Sequence, residues 1–292
     1  MSLLKLSLLL LAGSLSLLPR AEARPFRAMT TRTAVTTSPQ HLEFGLRFQG
    51  FFVGDSLNSL SFASLSPGVR FGIVDKLELN LYLDVMLLGD RGFGNFSAYV
   101  GDVPIGLQYT FVSTKHFALG VWGRLTLPAG ASSFEGLALS LQDRIPPSFS
   151  DGTWDAEGTL IAEFRFTPDF RLMANGGYLF HGVRQRPGGG AFDVPDAIGY
   201  NLAATLNLSD QVLLGVELIG RSYFERAITP AWTNNAHQLE LLPSARFEVV
   251  PNLVLEVALG VGLTRDLGEI YRVRALLGLT YEFDLLGRKR QG

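Results

Sequence analysis

The feature that most limits what this chain can fold into is an alternation of apolar and polar residues, repeated from His41 almost to the C-terminus. Leu77, Leu79, Leu81, Leu83, Val85 and Leu87 alternate with Glu78, Asn80, Tyr82, Asp84, Met86 and Leu88. Leu253, Leu255, Val257, Leu259, Val261 and Leu263 alternate with Val254, Glu256, Ala258, Gly260 and Gly262. Phe164 and Phe166 are set against Glu163 and Arg165, and the run from Tyr271 to Phe283 against Arg272, Arg274, Gly278 and Glu282. Successive side chains of a strand point to opposite faces, so each run describes a strand with one apolar face. No sustained 3.6-residue period appears, and the sequence predicts an all-β chain.

The pattern divides into twelve expected strands, near 41–53, 60–74, 77–88, 97–113, 115–128, 153–167, 169–182, 196–208, 210–224, 236–250, 252–264 and 270–285. Five connections are tight and carry turn-forming residues: Val74-Asp75-Lys76, Ser113-Thr114-Lys115, Thr167-Pro168-Asp169, Leu208-Ser209-Asp210 and Val250-Pro251-Asn252. They alternate with looser ones, the longest being Ala129–Gly152 and Val183–Pro195. An even number of long strands joined by alternating short and long connections is the layout of a closed antiparallel transmembrane β-barrel. Hydrocarbon offers the backbone no hydrogen-bond partners, so a spanning sheet has to close on itself.

A soluble β-sandwich would also alternate its faces. Three features weigh against it. The expected strands commonly reach 12 residues or more, where strands of globular proteins centre on about 5–6. Charged residues sit mid-strand, opposite the apolar stripes. Aromatic residues (among them Phe44, Phe48, Phe71, Tyr109, Phe111, Phe117, Phe166, Phe170, Tyr178, Phe180, Phe247, Tyr281 and Phe283) gather near strand ends, as they do at membrane interfaces.

Composition removes other classes. Mean hydropathy is +0.22, yet beyond the first 18 residues no apolar run approaches the length of a membrane helix. Net charge is −2 and the only basic run is Arg288-Lys289-Arg290, which argues against nucleic acid as a partner. With no cysteine, disulfides, thiolate-bound metal and thiol chemistry are excluded. Residues 1–23 have the layout of a secretory signal peptide: Lys5, an apolar stretch from Leu6 to Leu18, and the small-x-small site Ala21-Glu22-Ala23. Residues 24–40 read as a flexible, Thr-rich lead, 41–285 as the barrel and 286–292 as a basic tail.

Twelve strands at a spacing of about 4.8 Å and a tilt of about 40° close at a backbone diameter of about 24 Å, leaving a lumen of about 10 Å between side chains. The alternation assigns Glu78, Asp84, Arg124, Glu163, Arg165, Glu217, Arg221, Glu240, Arg246, Glu256, Arg272 and Arg274 to that lumen. Two readings follow. The charges form a polar conduit that selects solutes, or they pair across neighbouring strands and fill the interior. The loop Ala129–Gly152, with Phe134 to Leu139 and Pro146-Pro147, reads either as a lid over the mouth or as a packed extracellular extension.

Nothing in the sequence assembles a catalytic site. The four histidines are His41, His116, His181 and His237, and no His-x-Ser occurs. Asp151, Asp155, Asp193 and Asp196 read as solvated loop-end carboxylates, and Gly188–Gly190 lacks the Lys-Ser/Thr of a phosphate loop. The expectation is a non-enzyme with no catalytic residue, no metal ligand and no cofactor.

The last strand, Leu276-Leu277-Gly278-Leu279-Thr280-Tyr281-Glu282-Phe283, resembles the C-terminal assembly signal of outer-membrane proteins, although Leu276 replaces the usual polar residue and nine residues follow Phe283. Gly101-Asp102-Val103-Pro104-Ile105-Gly106-Leu107-Gln108-Tyr109, Leu127-Pro128-Ala129-Gly130 and Asn175-Gly176-Gly177-Tyr178 resemble segments of the outer-membrane transporter family labelled MetA-pathway of phenol degradation. That resemblance implies a channel or transport role, with hydrophobic or aromatic small molecules among the candidate solutes, and it carries no catalytic residues. The expected protein is a channel of a Gram-negative outer membrane with both termini in the periplasm. Its partners would be outer-membrane lipids, the barrel assembly machinery and a small-molecule solute. The alternative is a plugged structural or adhesive barrel that acts through its loops.

Overall fold

The computed structural model describes residues 30–52, 60–89, 96–130, 153–185, 191–193, 196–224, 237–264 and 272–285. The expected signal peptide, residues 131–152 of the longest loop, the glycine triplet and the basic tail lie outside the described residues. The strands are β1 (His41–Phe52), β2 (Leu60–Val74), β3 (Leu77–Tyr82), β4 (Val85–Gly89), β5 (Phe96–Val100), β6 (Val103–Ser113), β7 (Phe117–Leu127) and β8 (Asp155–Arg165). They continue with β9 (Phe170–Phe180), β10 (Val183–Gln185), β11 (Ala191–Asp193), β12 (Ala197–Asn207), β13 (Val212–Tyr223), β14 (His237–Val250), β15 (Leu253–Gly262) and β16 (Val273–Asp284).

Every neighbouring pair is antiparallel, and the sheet closes because β1 pairs with both β16 and β2. The main sheet has fourteen strands but twelve positions around the wall, since β4 carries on from β3 and β5 leads into β6. The pair β10–β11 extends the β9–β12 hairpin beyond the wall. The expected all-β transmembrane barrel of twelve staves is the observed architecture.

The interruption in the third and fourth staves has a chemical cause. Pairing of β3 with β6 stops at Leu81↔Ile105, and the next residue on β6 is Pro104, which has no N–H to give. Pairing resumes at Val85↔Val100, so residues 82–84 lie against 101–104 with one residue extra. Asp84 keeps its inward aim, and Gly101 N–H donates to its carbonyl at 2.6 Å.

All five tight connections gather at one end of the barrel. Two of them turn through a left-handed residue, Lys76 (φ 70°) and Asn252 (φ 71°), each close to a register shift in the strand before it. A third left-handed residue, Gln40 (φ 63°), leads into β1 at the same end. Its N–H donates to Gly72 O at 2.8 Å, and its carbonyl accepts from Leu285 N–H at 3.3 Å.

The outer face is apolar and open. Leu160 is 65% exposed, Leu202 55% and Leu107 49%, a surface that only hydrocarbon solvates well. Aromatic rings pair along both rims. Phe117–Phe164 (4.9 Å), Phe166–Phe170 (5.8 Å) and Tyr281–Phe283 (4.5 Å) lie at the short-turn end, and Tyr178–Phe224 (5.8 Å) at the other. On this face Tyr200 also covers Gly220, its cross-strand partner, where a Cβ would collide with the ring. Buried side chains are found on the inner face, as small apolar clusters (Met173 with Ala203, Leu242 with Leu276) set among charged residues.

Candidate functional site: the lumen and the segment that crosses it

The largest departure from the sequence reading is the lead. Residues 30–40 do not run free of the barrel; they lie inside it. Eleven residues can reach about 36 Å, which exceeds the wall-to-wall distance of about 24 Å expected for twelve strands. Starting from β1, the segment passes β3, β6 and β7, then β8 and β9, and ends against β13.

Its hold on the wall is specific. Thr37 donates to the Glu78 carboxylate through both its N–H and its hydroxyl, each at 2.6 Å. Gln108 Nε2 donates to Thr33 O at 2.8 Å, and Thr110 Oγ1 donates to Ala34 O at 2.5 Å. The Thr33 hydroxyl donates to Glu163. With its amide oriented to satisfy both groups, Asn175 accepts from Arg32 N–H at 2.6 Å and donates to Arg32 O at 3.1 Å, a side-chain imitation of strand pairing. At the far side Glu217 accepts from Thr30 N–H (3.0 Å), Thr30 Oγ1 (2.6 Å) and Thr31 N–H (2.6 Å). Ala34 is fully buried against Ala118, Trp122 and Ile161.

The wall is cut to receive the segment. A Cβ on Gly72 would overlap the backbone of Thr37 and Ser38, and one on Gly120 would press on Tyr109 O beside Ala34 O. Small residues at these inward positions leave the room in which the backbone lies. The Arg32 guanidinium stacks on Trp122 at 3.6 Å from the ring centroid, with Arg124 at 5.4 Å from the same ring. Burial pulls the Arg32 guanidinium down to about 10, with nearby Tyr82, Glu78 and Glu157 opposing that shift, so it stays charged at neutral pH.

The charged residues assigned to the lumen fall into three groups. Glu78, Glu163 and Glu217 are at most 2% exposed and meet the segment. Glu163 also accepts from Arg165 Nε (2.8 Å) and Arg171 Nη1 (3.0 Å). A second group pairs across the wall, as the charge-packed reading expects: Arg124 with Glu157 (2.7 Å), Arg246 with Glu256 (3.8 Å) and Arg274 with Glu240 (2.5 Å). The last pair reaches over β15, and a Cβ on Gly260 would strike the Glu240 carboxylate. The third group is looser. Asp84 accepts from the Ser66 hydroxyl, Arg221 donates to Tyr223 Oη at 3.4 Å, and Arg272 is exposed at the long-loop rim, its N–H donating to Phe52 O at 3.0 Å.

Even so, the lumen is not full. Between the segment and the wall of β1, β2, β3, β6 and β7 a cavity of about 230 Å³ remains, bordered by Arg32, Arg47, Arg70, Tyr82, Asp84 and Arg124 among others. A smaller one of about 60 Å³ adjoins it, sharing Arg47, Ser66, Arg70 and Tyr82 and reaching Arg246 and Glu256. Neither reading of the lumen is complete alone: ion pairs and a peptide segment narrow it, and charged cavities remain beside them.

At the long-loop rim, His181 Nδ1 is 3.3 Å from Asp155 Oδ1, and His237 Nδ1 is 3.1 Å from Ser222 Oγ. Acid and hydroxyl thus sit on different histidines, where a nucleophilic triad needs both on one. Asp196 accepts from His181 N–H (2.9 Å) and from the Tyr178 hydroxyl, so it works as a structural acceptor. Among the described residues no group of three His, Asp or Glu side chains is placed to hold a metal ion.

No family model matches this sequence, and no curated protein matches it. Among solved structures the chain is similar to an outer-membrane channel from Pseudomonas putida F1, with a TM-score of 0.63 and 12% identity over 88% of this chain and 100% of that one. It is also similar to the NanC porin (TM-score 0.54, 8% identity, 81% of this chain and 98% of that one). For the KdgM porin the TM-score is 0.52, at 9% identity over 83% of this chain and 99% of that one. At such identities the likeness is one of fold.

Proposed function

We propose that this protein is an outer-membrane channel of a Gram-negative bacterium, passing small solutes through a charge-lined lumen that its own N-terminal segment narrows. The observation that carries the reading is the charged cavity of about 230 Å³ beside the segment, inside a closed barrel with an apolar exterior. A barrel built only as scaffold gains nothing from a charged cavity in its lumen, where apolar packing would serve better. The named functions of the structures sharing the fold, channel and porin, agree with it.

Three finer points belong to the same proposal. The short-turn end, where the segment enters and Leu285 lies, faces the periplasm. Residues 1–23 direct export, and the C-terminal strand engages the assembly machinery. Solutes with an aromatic or apolar body are the first to try, which is where the resemblance to the MetA-pathway family leads.

The segment itself favours the second reading, a plugged barrel, and conductance separates the two. The full-length protein, refolded and shown folded by its heat-dependent gel migration, should give reproducible current steps in a planar bilayer. A chain beginning at Ser38 should give larger ones. Charge reversal at Glu256 should shift ion selectivity in both. Silence from both folded proteins would overturn the channel and send the search to the loops.

A further inference from the structure

Charge around the larger cavity is unbalanced. Arg32, Arg47, Arg70 and Arg124 border it against two carboxylates, Glu78 and Asp84. Both carboxylates already accept from neutral donors, Glu78 from Thr37 at 2.6 Å and Asp84 from the Ser66 hydroxyl. Arg124 is matched by Glu157 at 2.7 Å, while Arg70 holds Tyr82 Oη at 2.9 Å and reaches Glu43 only at 3.5 Å.

Arg32 stands apart. Among the described residues its guanidinium has no carboxylate within ion-pair distance, and it lies against the face of Trp122. A guanidinium stacked on an indole keeps its edge N–H groups free to donate, and that fork matches the two oxygens of a carboxylate. The border also carries apolar and aromatic groups, Val35, Pro104 and the Tyr82 and Trp122 rings, set among hydroxyls and amides such as those of Thr33, Gln49 and Gln108. The space is smaller than the roughly 300–1,000 Å³ of pockets that take drug-sized molecules, which suits a single-ring solute.

We infer that this cavity is a binding site for a small organic monoanion, a carboxylate on a compact apolar body, with Arg32 of the N-terminal segment and the wall arginines Arg47 and Arg70 as its oxyanion donors. The inference rests on the channel reading for its purpose, since it names the class of solute that pauses in the lumen. The site is composite. One of its cations is carried by the segment that narrows the passage, so an occupied site also ties the segment to the wall.

The test is titration calorimetry on the full-length protein in detergent, with benzoate, benzyl alcohol and benzylamine as probes of one size and three charges. Benzoate should bind, the alcohol at least tenfold more weakly, and the amine not at all. Arg32→Gln should weaken benzoate by roughly tenfold or more, the loss of a charge-assisted pair, whereas Arg32→Lys should lose less. Arg32 lies outside the strands, so the barrel of either variant should keep its heat-dependent migration. Benzoate binding no tighter than benzyl alcohol, or unmoved by Arg32→Gln, overturns the site. Because calorimetry needs no ion flow, that failure is distinct from silence in the bilayer, which overturns the channel.

Discussion

Glu217 and Glu240 lie on adjacent strands, both buried in the lumen wall, and they are held in opposite ways. Glu240 accepts from two nitrogens of Arg274, at 2.9 and 2.5 Å, in a fork that arches over Gly260. Donor and acceptor both belong to the sheet. Glu217 accepts, among its partners, from the amides and hydroxyl of Thr30 and Thr31, neutral groups on a segment that continues into the wall at β1. Water can replace neutral donors at little net cost, because each such hydrogen bond is exchanged for another. A buried guanidinium that loses its carboxylate has no such substitute. The inner wall therefore has a permanent part, locked by arginine forks, and a part whose occupant can be exchanged for solvent.

That contrast can be broken or sharpened by experiment. The largest effect is expected from Glu240→Ala, which strands Arg274 in the wall and should cost about 3 kcal/mol of barrel stability, read from urea-induced unfolding. Gly260→Val should follow, at about 1–3 kcal/mol, because its side chain displaces the Glu240 carboxylate from its fork; Gly260→Ala should cost less in the same assay. Glu217→Gln should leave barrel stability within about 1 kcal/mol of the parent while loosening the segment, seen as faster tryptic cleavage after Arg32. Equal losses of barrel stability from Glu217→Gln and Glu240→Ala would refute the division. The smallest effect belongs to Thr37→Val, which removes the hydroxyl bonds to Glu78 and Glu43 but keeps the amide bond. It should weaken seating by about 1 kcal/mol, measured by the same cleavage rate.

The staves were readable because lipid outside and charge inside impose the strictest two-residue alternation a sheet can carry. Lumen residues such as Glu78, Glu163 and Glu240 followed from parity alone. The break at Pro104 was written in the sequence as a missing donor, yet its effect on pairing depends on which strand lies alongside. The segment escaped notice for a different reason. Thr30-Thr31-Arg32-Thr33-Ala34-Val35-Thr36-Thr37 has no apolar period, and polarity ordinarily means solvent. Inside a charged lumen the rule inverts, and hydroxyls and amides become the groups that pack. Signals for it did exist. Gly72, Gly120 and Ala118 leave an inward furrow with nothing of their own strands to fill it. Glu217, moreover, lies opposite Ala203 and Leu242 in the neighbouring strands, where a lumen carboxylate would be expected to meet an arginine.

Gln40 links the lumen segment to time as well as to space. Its amide is tied to β2, near the beginning of the sheet, and its carbonyl to Leu285, just past the end of the final strand. The hinge therefore straddles the seam where the first and last strands meet, and half of its anchorage does not exist until the last strand has docked. The bonds from the segment to β3, β6, β8, β9 and β13 need no last strand, but the hinge that sets the angle at which the segment enters is complete only when the ring is closed. Protection of Arg32 from protease should accordingly reach its full extent only with closure of the ring, which makes the segment a reporter of assembly.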